Sequence, residues 1–292
     1  MSPVSFHLIS LLPSTTPQAF LSALRALPAP DQPQWLGATH HWLHEPSLDT
    51  ASLLGPDSEP AITKWDYLLV ATTRDIPPSI RDLTARTWTV HAENPAVHPG
   101  IRAAMAEIES STEPLAPPLP SGWSAADPSG LNTYVAPSGI GLTLNEPSRP
   151  LGAPKSSTAI SAADYVRGFP PGDRVPVVMF NLLAYKPDGG RRTYQEGYVG
   201  GFIEKLGPAY GGRGIQLGYG IEGSDAAAAA GRQTQNQQGK QEWEDAAMVW
   251  YPSLWHFAKM IDDEAYVELD RKFKPVSLRD NPLMVTTEVK WQ

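Results

Sequence analysis

The chain has 292 residues, 41% of them hydrophobic, with 24 glycines, 30 prolines and no cysteine. That length suits one large or two ordinary domains, and the lack of cysteine excludes disulfides, thiolate catalysis and Cys-ligated metals. Net charge is −8 and no Lys/Arg cluster occurs, so nucleic acid is not an expected partner, and no apolar run reaches the length of a membrane span.

The opening MSPVSFHLISLLPS has neither the positive n-region nor the small-residue cleavage site of a signal peptide. A cytoplasmic protein without membrane association is therefore expected. Val4 to Leu12 alternates as a strand. Ser14 to Thr16 offer N-caps and Pro17 a first helical position, and Phe20, Leu21, Leu24 and Leu27 follow at helical spacing. After a break at Pro28 to Pro33, Trp35 to His44 reads as a second strand and Trp65 to Thr73 as a third. Ile76 to Ala85 predicts a short helix, Thr87 to Ala92 a fourth strand and Pro99 to Ser110 a helix. The order is β-α-β-β-α-β, the ferredoxin-like arrangement.

Pro114 to Pro120 reads as an extended linker, and Gly122 to Pro150 is full of turn formers. Ser161 to Phe169 predicts a short helix and Val175 to Tyr185 a strand. Tyr194, Tyr198, Phe202 and Leu206 form one stripe of a helix over residues 193–207. Gly214 to Glu222 is a strand weakened by glycine. Residues 223–242, rich in Ala and Gln/Asn, read as a disordered hairpin tip. Trp243 to Tyr251 predicts a strand, Leu254 to Ile261 and Glu264 to Phe273 two helices, and Pro282 to Trp291 the last strand. This again is β-α-β-β-α-β.

The expected fold is α+β: two tandem ferredoxin-like repeats, at 1–112 and 159–292, joined by a Pro/Gly-rich connection at 113–158. Each four-stranded sheet leaves one apolar face bare, which must be buried. Packing the sheets together within one chain makes an intramolecular dimeric α/β-barrel, so a monomer can be complete, with a homodimer as the other assembly.

The strand VPVVMFNLLAY at 175–185 organises the second repeat. Alternation puts Val177, Met179, Asn181, Leu183 and Tyr185 on one face and Val178, Phe180, Leu182 and Ala184 on the other. The purely apolar face suits a layer of helices. The face with Asn181 and Tyr185 suits a cavity wall, although Asn181 would also serve by bonding a neighbouring backbone group.

MFNLLAYKP at 179–187 resembles the first strand of the stress-responsive dimeric α/β-barrel proteins. MVWYPSLWHFAKMIDDEAYVELDRKFKPVSLRD at 248–280 resembles that superfamily's group of unknown function numbered 1330, and the two-part layout is similar to uncharacterised fungal proteins. The resemblance implies a barrel built from ferredoxin-like halves. It also implies a choice of chemistries, among them cofactor-independent monooxygenation, decarboxylation, dehydration, cyclisation and isomerisation. Fold alone does not choose among these.

Several side chains are candidates for chemistry. His40, His41 and His44 cluster on the second strand, with His40 and His44 on one face; a general acid or base fits better than a metal site, and a solvated strand edge is the plain reading. His256 starts a helix beside a buried stripe. Tyr194 and Tyr198 are spaced to bring two phenols to one rim. Trp243, Trp250 and Tyr251 suit a flat apolar ligand or a plain core. Of the dispersed cations Lys186, Arg191, Arg192, Arg271 and Arg279, a basic group at a cavity mouth would bind a carboxylate or an enolate. No HExxH, GxGxxG, Walker A or GxSxG spacing occurs. The expected catalytic residues are Asn181, Tyr185, His40 and His256, and the expected substrate contacts are Met179, Tyr194, Tyr198, Trp243, Trp250 and Arg279. No metal and no cofactor are expected. The functional expectation is a cofactor-independent enzyme of fungal secondary metabolism acting on an apolar oxygenated small molecule by cyclisation, isomerisation, decarboxylation or oxygenation. The alternative is a non-catalytic binding or stress-response protein.

Overall fold

The structure, a computed structural model, describes residues 1–54, 65–111, 166, 169, 175–224, 242–261 and 263–291. The expected connection over 113–158, most of the helix expected at Ser161 to Phe169 and most of the segment 223–242 lie outside the described residues.

The alternating segments become strands β1 (Ser2–Leu11), β2 (Trp35–His44), β3 (Tyr67–Ala71), β4 (Thr84–Asn94), β5 (Val177–Tyr185), β6 (Arg213–Tyr219), β7 (Asp245–Tyr251), β8 (Leu278–Asp280) and β9 (Leu283–Glu288). The helices are α1 (Pro17–Arg25), α2 (Thr50–Leu53), α3 (Pro78–Arg81), α4 (Ile101–Ser110), α5 (residues 190–209), α6 (Leu254–Ile261) and α7 (Glu264–Ser277). The Thr16 hydroxyl caps α1 and the Asp263 carboxylate caps α7, each accepting a first-turn backbone N–H and satisfying a donor the helix leaves open. Among the described residues no helix is long and apolar enough to cross a membrane. The helix expected at Ile76 to Ala85 shrinks to α3 because β4 already begins at Thr84. The three-residue β8 had no signal of its own in the sequence.

The strands form one antiparallel sheet in the order β7-β6-β4-β1-β3-β2-β9-β5-β8, and β7 also pairs with β5. Eight strands therefore return on themselves, and β8 is a spur on the end of β5. Closure leaves those eight strands without an open edge. The two joins between the N- and C-terminal sets of strands are unequal. β2 and β9 are registered from Gly37↔Glu288 to His44↔Leu283. β4 and β6 share the single registered pair Glu93↔Tyr219, supported by the Glu222 N–H donating to the His91 carbonyl at 2.8 Å and by an Arg74–Glu222 ion pair.

Three apolar layers result. Phe6, Trp42, Leu68, Phe180, Trp243 and Met248 pack inside the ring. Phe20, Leu24 and Ile80 of α1 and α3 cover Ile9 and Tyr67 on the outside of the first four strands. Tyr198, Leu254, Phe257 and Tyr266 cover Met179, Tyr185 and Val285 on the outside of β5 and β9. This reverses the expectation for β5. Its purely apolar face points into the ring, where Phe180 meets Phe6 at 5.7 Å, and the helices lie over the Asn181 face. The ring interior is a closed apolar layer in which a side-chain amide would be costly to bury, so the face without polar side chains goes there.

The helix α5 winds unevenly. Tyr194–Val199 and Phe202–Leu206 are π-helical between α-helical ends. A four-residue step overshoots a full turn by about 40° in an α-helix, and the wider π turns cancel that drift. Tyr194, Tyr198 and Phe202 consequently stack in a column, with ring centroids 4.9 Å and 6.2 Å apart. Close packing on α7 accompanies this winding. A Cβ at Gly197 would lie 2.2 Å from the Phe273 ring, and one at Gly201 would lie 2.8 Å from Leu269. Gly197→Ala should therefore destabilise the fold by about 1–2 kcal/mol, overpacking outweighing a helix-propensity gain of about 1 kcal/mol. Urea unfolding of the variant checks this, and a higher midpoint would show that Phe273 gives way freely.

Candidate functional site

A cavity of about 510 Å³ lies between the outer face of β5, β6, β7 and β9 and the helices α5, α6 and α7. Alternate residues of β5, namely Met179, Asn181, Leu183 and Tyr185, form its floor, and the aromatic column of α5 forms one wall. The end of β7 adds Tyr251, and α7 adds Tyr266 and Lys274. His44 at the end of β2 and His98 in the loop between β4 and α4 reach the same cavity. Ile203 lines it while 60% exposed, which marks the mouth.

Two buried ionic groups punctuate this apolar chamber. The first is Asp245, 1% exposed. Its carboxylate accepts from the Tyr185 hydroxyl at 2.9 Å, from Arg191 Nη2 at 2.8 Å and Nε at 3.2 Å, and from the Gly220 N–H at 3.1 Å. Burial is the largest influence and pushes this carboxyl up to about 6, although all these donors pull it down. The second is Lys274, whose ammonium lies 2.8 Å from Asp270 Oδ1 inside the helix layer. It stands 3.4 Å from the Tyr266 hydroxyl and over the faces of Tyr198 and Tyr266, at 5.1 Å and 5.8 Å from their centroids. Cation–π contact and the carboxylate neighbour offset part of the cost of burying this group.

The phenols stay neutral donors. Burial raises Tyr185 and Tyr198 well above the ordinary tyrosine value and pushes Tyr194 up to about 12. Tyr198 donates to Tyr266 at 3.1 Å, and the Tyr251 hydroxyl points at Met260 Sδ, 3.3 Å away. Burial likewise holds the His98 ring below its ordinary value, so it is neutral near pH 7. The chamber thus offers phenols, one ammonium and imidazoles to an organic ligand bearing oxygen acceptors. Among the described residues no three His, Asp or Glu side chains converge as metal ligands.

Of the residues expected at the site, Met179, Asn181, Tyr185, Tyr194 and Tyr198 line this cavity together. The Asn181 amide donates to the Met179 carbonyl at 3.1 Å. Trp243 and Trp250 do not line it. Tyr251 faces the helices, so alternation turns Trp250 into the ring, where Trp243 also packs. Arg279 lies outside, donating to the Tyr185 carbonyl and to Glu242 Oε2 at 2.9 Å each. His256 is turned to Ser253 Oγ, 2.8 Å from its Nδ1, at the start of α6. His40 sits 2.7 Å from Thr287 Oγ1 with its ring against Phe169. The shared face expected for His40 and His44 fails because β2 shifts register between Thr39 and His41 and again between Trp42 and His44. Such bulges re-aim side chains, and His44 is the one that lines the cavity.

Asp245, Lys274, Tyr266 and His98 were not anticipated. A signal existed for two of them: a carboxylate inside the apolar WEDAAMVWY strand, and an Asp270/Lys274 pair four residues apart on a helix.

No protein-family model matches the chain, and no curated protein matches it. Among solved structures, a protein of unknown function from Rhodopseudomonas palustris is similar over 40% of this chain and 85% of its own, with 19% identity and a TM-score of 0.32. A proposed monooxygenase from Lactobacillus acidophilus NCFM is similar over 99% of this chain and 94% of its own, with 6% identity and a TM-score of 0.41. Likeness at these levels carries no chemistry across, and the geometry of the cavity has to speak for itself.

Because burial raises Asp245 above its ordinary 3.8, the folded protein holds that proton more tightly than the unfolded chain does. The contribution of Asp245 to stability is then fully present below about pH 4 and is lost as pH rises through about 6. Relative to Asp245→Asn, the native protein should lose stability between about pH 4 and 6, with a constant difference above about pH 7. Denaturant unfolding of both proteins across that range checks the sign, and a difference that grows with pH would mean that Arg191 outweighs burial.

Proposed function

We propose that this chain is an enzyme acting, without a bound cofactor, on an apolar oxygenated small molecule held between the sheet and α5, α6 and α7. The observation that carries this reading is the buried Lys274 ammonium in the wall of a tyrosine-lined chamber of about 510 Å³. Burying that charge, even beside Asp270, costs several kcal/mol of desolvation, and a buried charged group in the wall of a cavity is a candidate for function. Preorganised donors in a chamber shielded from water act on charge that develops during reaction. Cyclisation, isomerisation, decarboxylation and oxygenation of an oxygenated substrate all build charge on oxygen. A place in fungal secondary metabolism rests on the sequence resemblance alone.

A binding protein without turnover is the second reading. It is favoured by Asp245, whose oxygens already accept from Tyr185, Arg191 and Gly220 and so act as a clamp rather than a base. Extraction and mass spectrometry of ligand retained by protein from its native host tests both readings. The expected ligand is apolar and oxygen-bearing. Its conversion by the protein supports the enzyme, and its unchanged retention supports the binder. Asn181→Ala should slow that conversion by roughly tenfold, the equivalent of one lost hydrogen bond, with little change in melting temperature, since its side-chain amide bonds a carbonyl of its own strand. A large fall in melting temperature with unchanged turnover would make Asn181 structural.

We also propose that the two halves are tandem ferredoxin-like repeats forming a dimeric α/β-barrel within one chain. The order β4-β1-β3-β2 in one half and β9-β5-β7-β6 in the other supports this. Residues 175–292 expressed alone should then dimerise or aggregate through the face carrying Phe180, Met248 and Trp250. A soluble monomeric fragment would count against the arrangement.

A further inference from the structure

We propose that the short join between β4 and β6 is a proton-sensitive latch, held shut by the neutral ring of His98 and released when that ring is protonated. The latch does not depend on what the cavity holds.

His98 lies in the turn between β4 and α4, half-buried. Its Nδ1 is 3.2 Å from the Gly100 backbone nitrogen. A backbone N–H only donates, so Nδ1 is the bare nitrogen and the ring hydrogen sits on Nε2. The ring also bonds the backbone of Gly214 on β6. One neutral imidazole therefore ties the turn after β4 to β6.

A set of amide contacts crosses the same join beside it. The Asn94 side chain, at the end of β4, donates to the His98 carbonyl at 2.9 Å. Gln216 of β6 is 1% exposed. It donates to Asn94 Oδ1 at 2.9 Å and accepts the Ile101 N–H, the first of α4, at 3.0 Å. Then comes the single registered pair Glu93↔Tyr219, and at the far end the Glu222 N–H donates to the His91 carbonyl at 2.8 Å. Near Gln216 the join is held by amides, which do not titrate, and by one imidazole, which does.

A proton on Nδ1 turns that nitrogen into a donor facing the Gly100 N–H, itself a donor. The bond is lost, and a half-buried cation is left in the turn. Burial is the largest influence on the ring and lowers its pKa, with the Gly214 bond opposing. Beside it, the charged or titratable side chains are His91 and Glu93 on β4, Arg213 and Tyr219 on β6, and Arg102 on α4. Lys274 and Asp245 line the same cavity. Because the closed join binds this proton more weakly than the open one, the contribution of the latch is fully present above about pH 6.5. It is lost progressively as pH falls below that value.

Amide hydrogen exchange by NMR on the full-length protein tests this between about pH 7.5 and 5, each rate being divided by the intrinsic rate at that pH. Protection at Ile101 and Glu222, whose N–H groups donate across the join, should fall about tenfold for each pH unit below about 6.5, the slope of one linked proton. Val289, whose N–H donates to Leu36 across the long join, should keep its protection. In His98→Gln, whose uncharged side chain offers Gly100 an oxygen, Ile101 and Glu222 should stay protected throughout. In His91→Gln the fall at Ile101 should persist. A further reading needs no variant: ring nitrogen shifts near neutral pH should show Nδ1 of His98 bare and the hydrogen on Nε2. A hydrogen on Nδ1, constant protection at Ile101 or Glu222 in the native protein, an equal fall at Val289, a fall that survives His98→Gln, or one abolished by His91→Gln each overturns the inference.

Discussion

Asp245 is the carboxylate on which the second half of the structure depends. It sits at the start of β7 and is registered with Leu183 of β5 and Tyr219 of β6. Its two oxygens take Tyr185 from the floor of the cavity, Arg191 from the first turn of α5 and Gly220 from the turn after β6. Strand, helix and turn are tied to one buried point. Arg191 also lies 5.0 Å over the Tyr219 ring, so the cation is held between a carboxylate and an aromatic face. With α5 anchored in this way, the column of Tyr194, Tyr198 and Phe202 has a fixed height over the sheet, and the space beneath it is the cavity.

The halves share a strand order and use it differently. Outside the first four strands Phe20 stacks on Tyr67 at 4.9 Å, within a layer made of α1 and α3. His7 is buried there against Thr89, 2.9 Å from its hydroxyl, and burial lowers its pKa to about 3, so it is a neutral core residue. Over β5 and β7 two of the covering helices, α5 and α7, are longer, the face of α5 is cut back to glycine at 197 and 201, and Tyr194, Tyr198 and Tyr266 are among the inward side chains. Large rings with polar tips fill a layer less tightly than leucine does, and each tip needs a partner. The network Tyr198–Tyr266–Lys274 is how two of these tips are satisfied beside the cavity.

Much of this was legible in the chain. The strands could be read because apolar and β-branched residues recur at period two between Pro and Gly breaks, and the tyrosine stripe because 194, 198, 202 and 206 are spaced by four. The side of β5 that takes the helices was not legible, since both faces are almost wholly apolar and only the opposing strands decide it. The π winding of α5 was hidden because it accompanies tertiary contact between Gly197 and Phe273, not any local propensity. The bulges of β2 were hidden too, and they exchange His40 for His44 at the cavity. Lys274 and Asp270 read as an ordinary surface pair, because spacing by four is common on solvated helices. Only the packing of α7 against α5 shows that they are buried.

The unequal joins of the ring have a consequence for where it yields first. Six residue pairs register along β2–β9 and one along β4–β6, so the ring is a sleeve with one firm stitch and one short one. Local opening takes place where the fewest bonds must be broken, which is the short stitch. His98, Arg213, Gly214 and Tyr219 of the cavity wall lie on or beside those two strands. Parting the stitch loosens Tyr219, which is registered with Asp245 and lies under Arg191, so strain at that seam reaches the cavity wall. The long seam holds the ring closed, and the short one bears on the wall of the chamber.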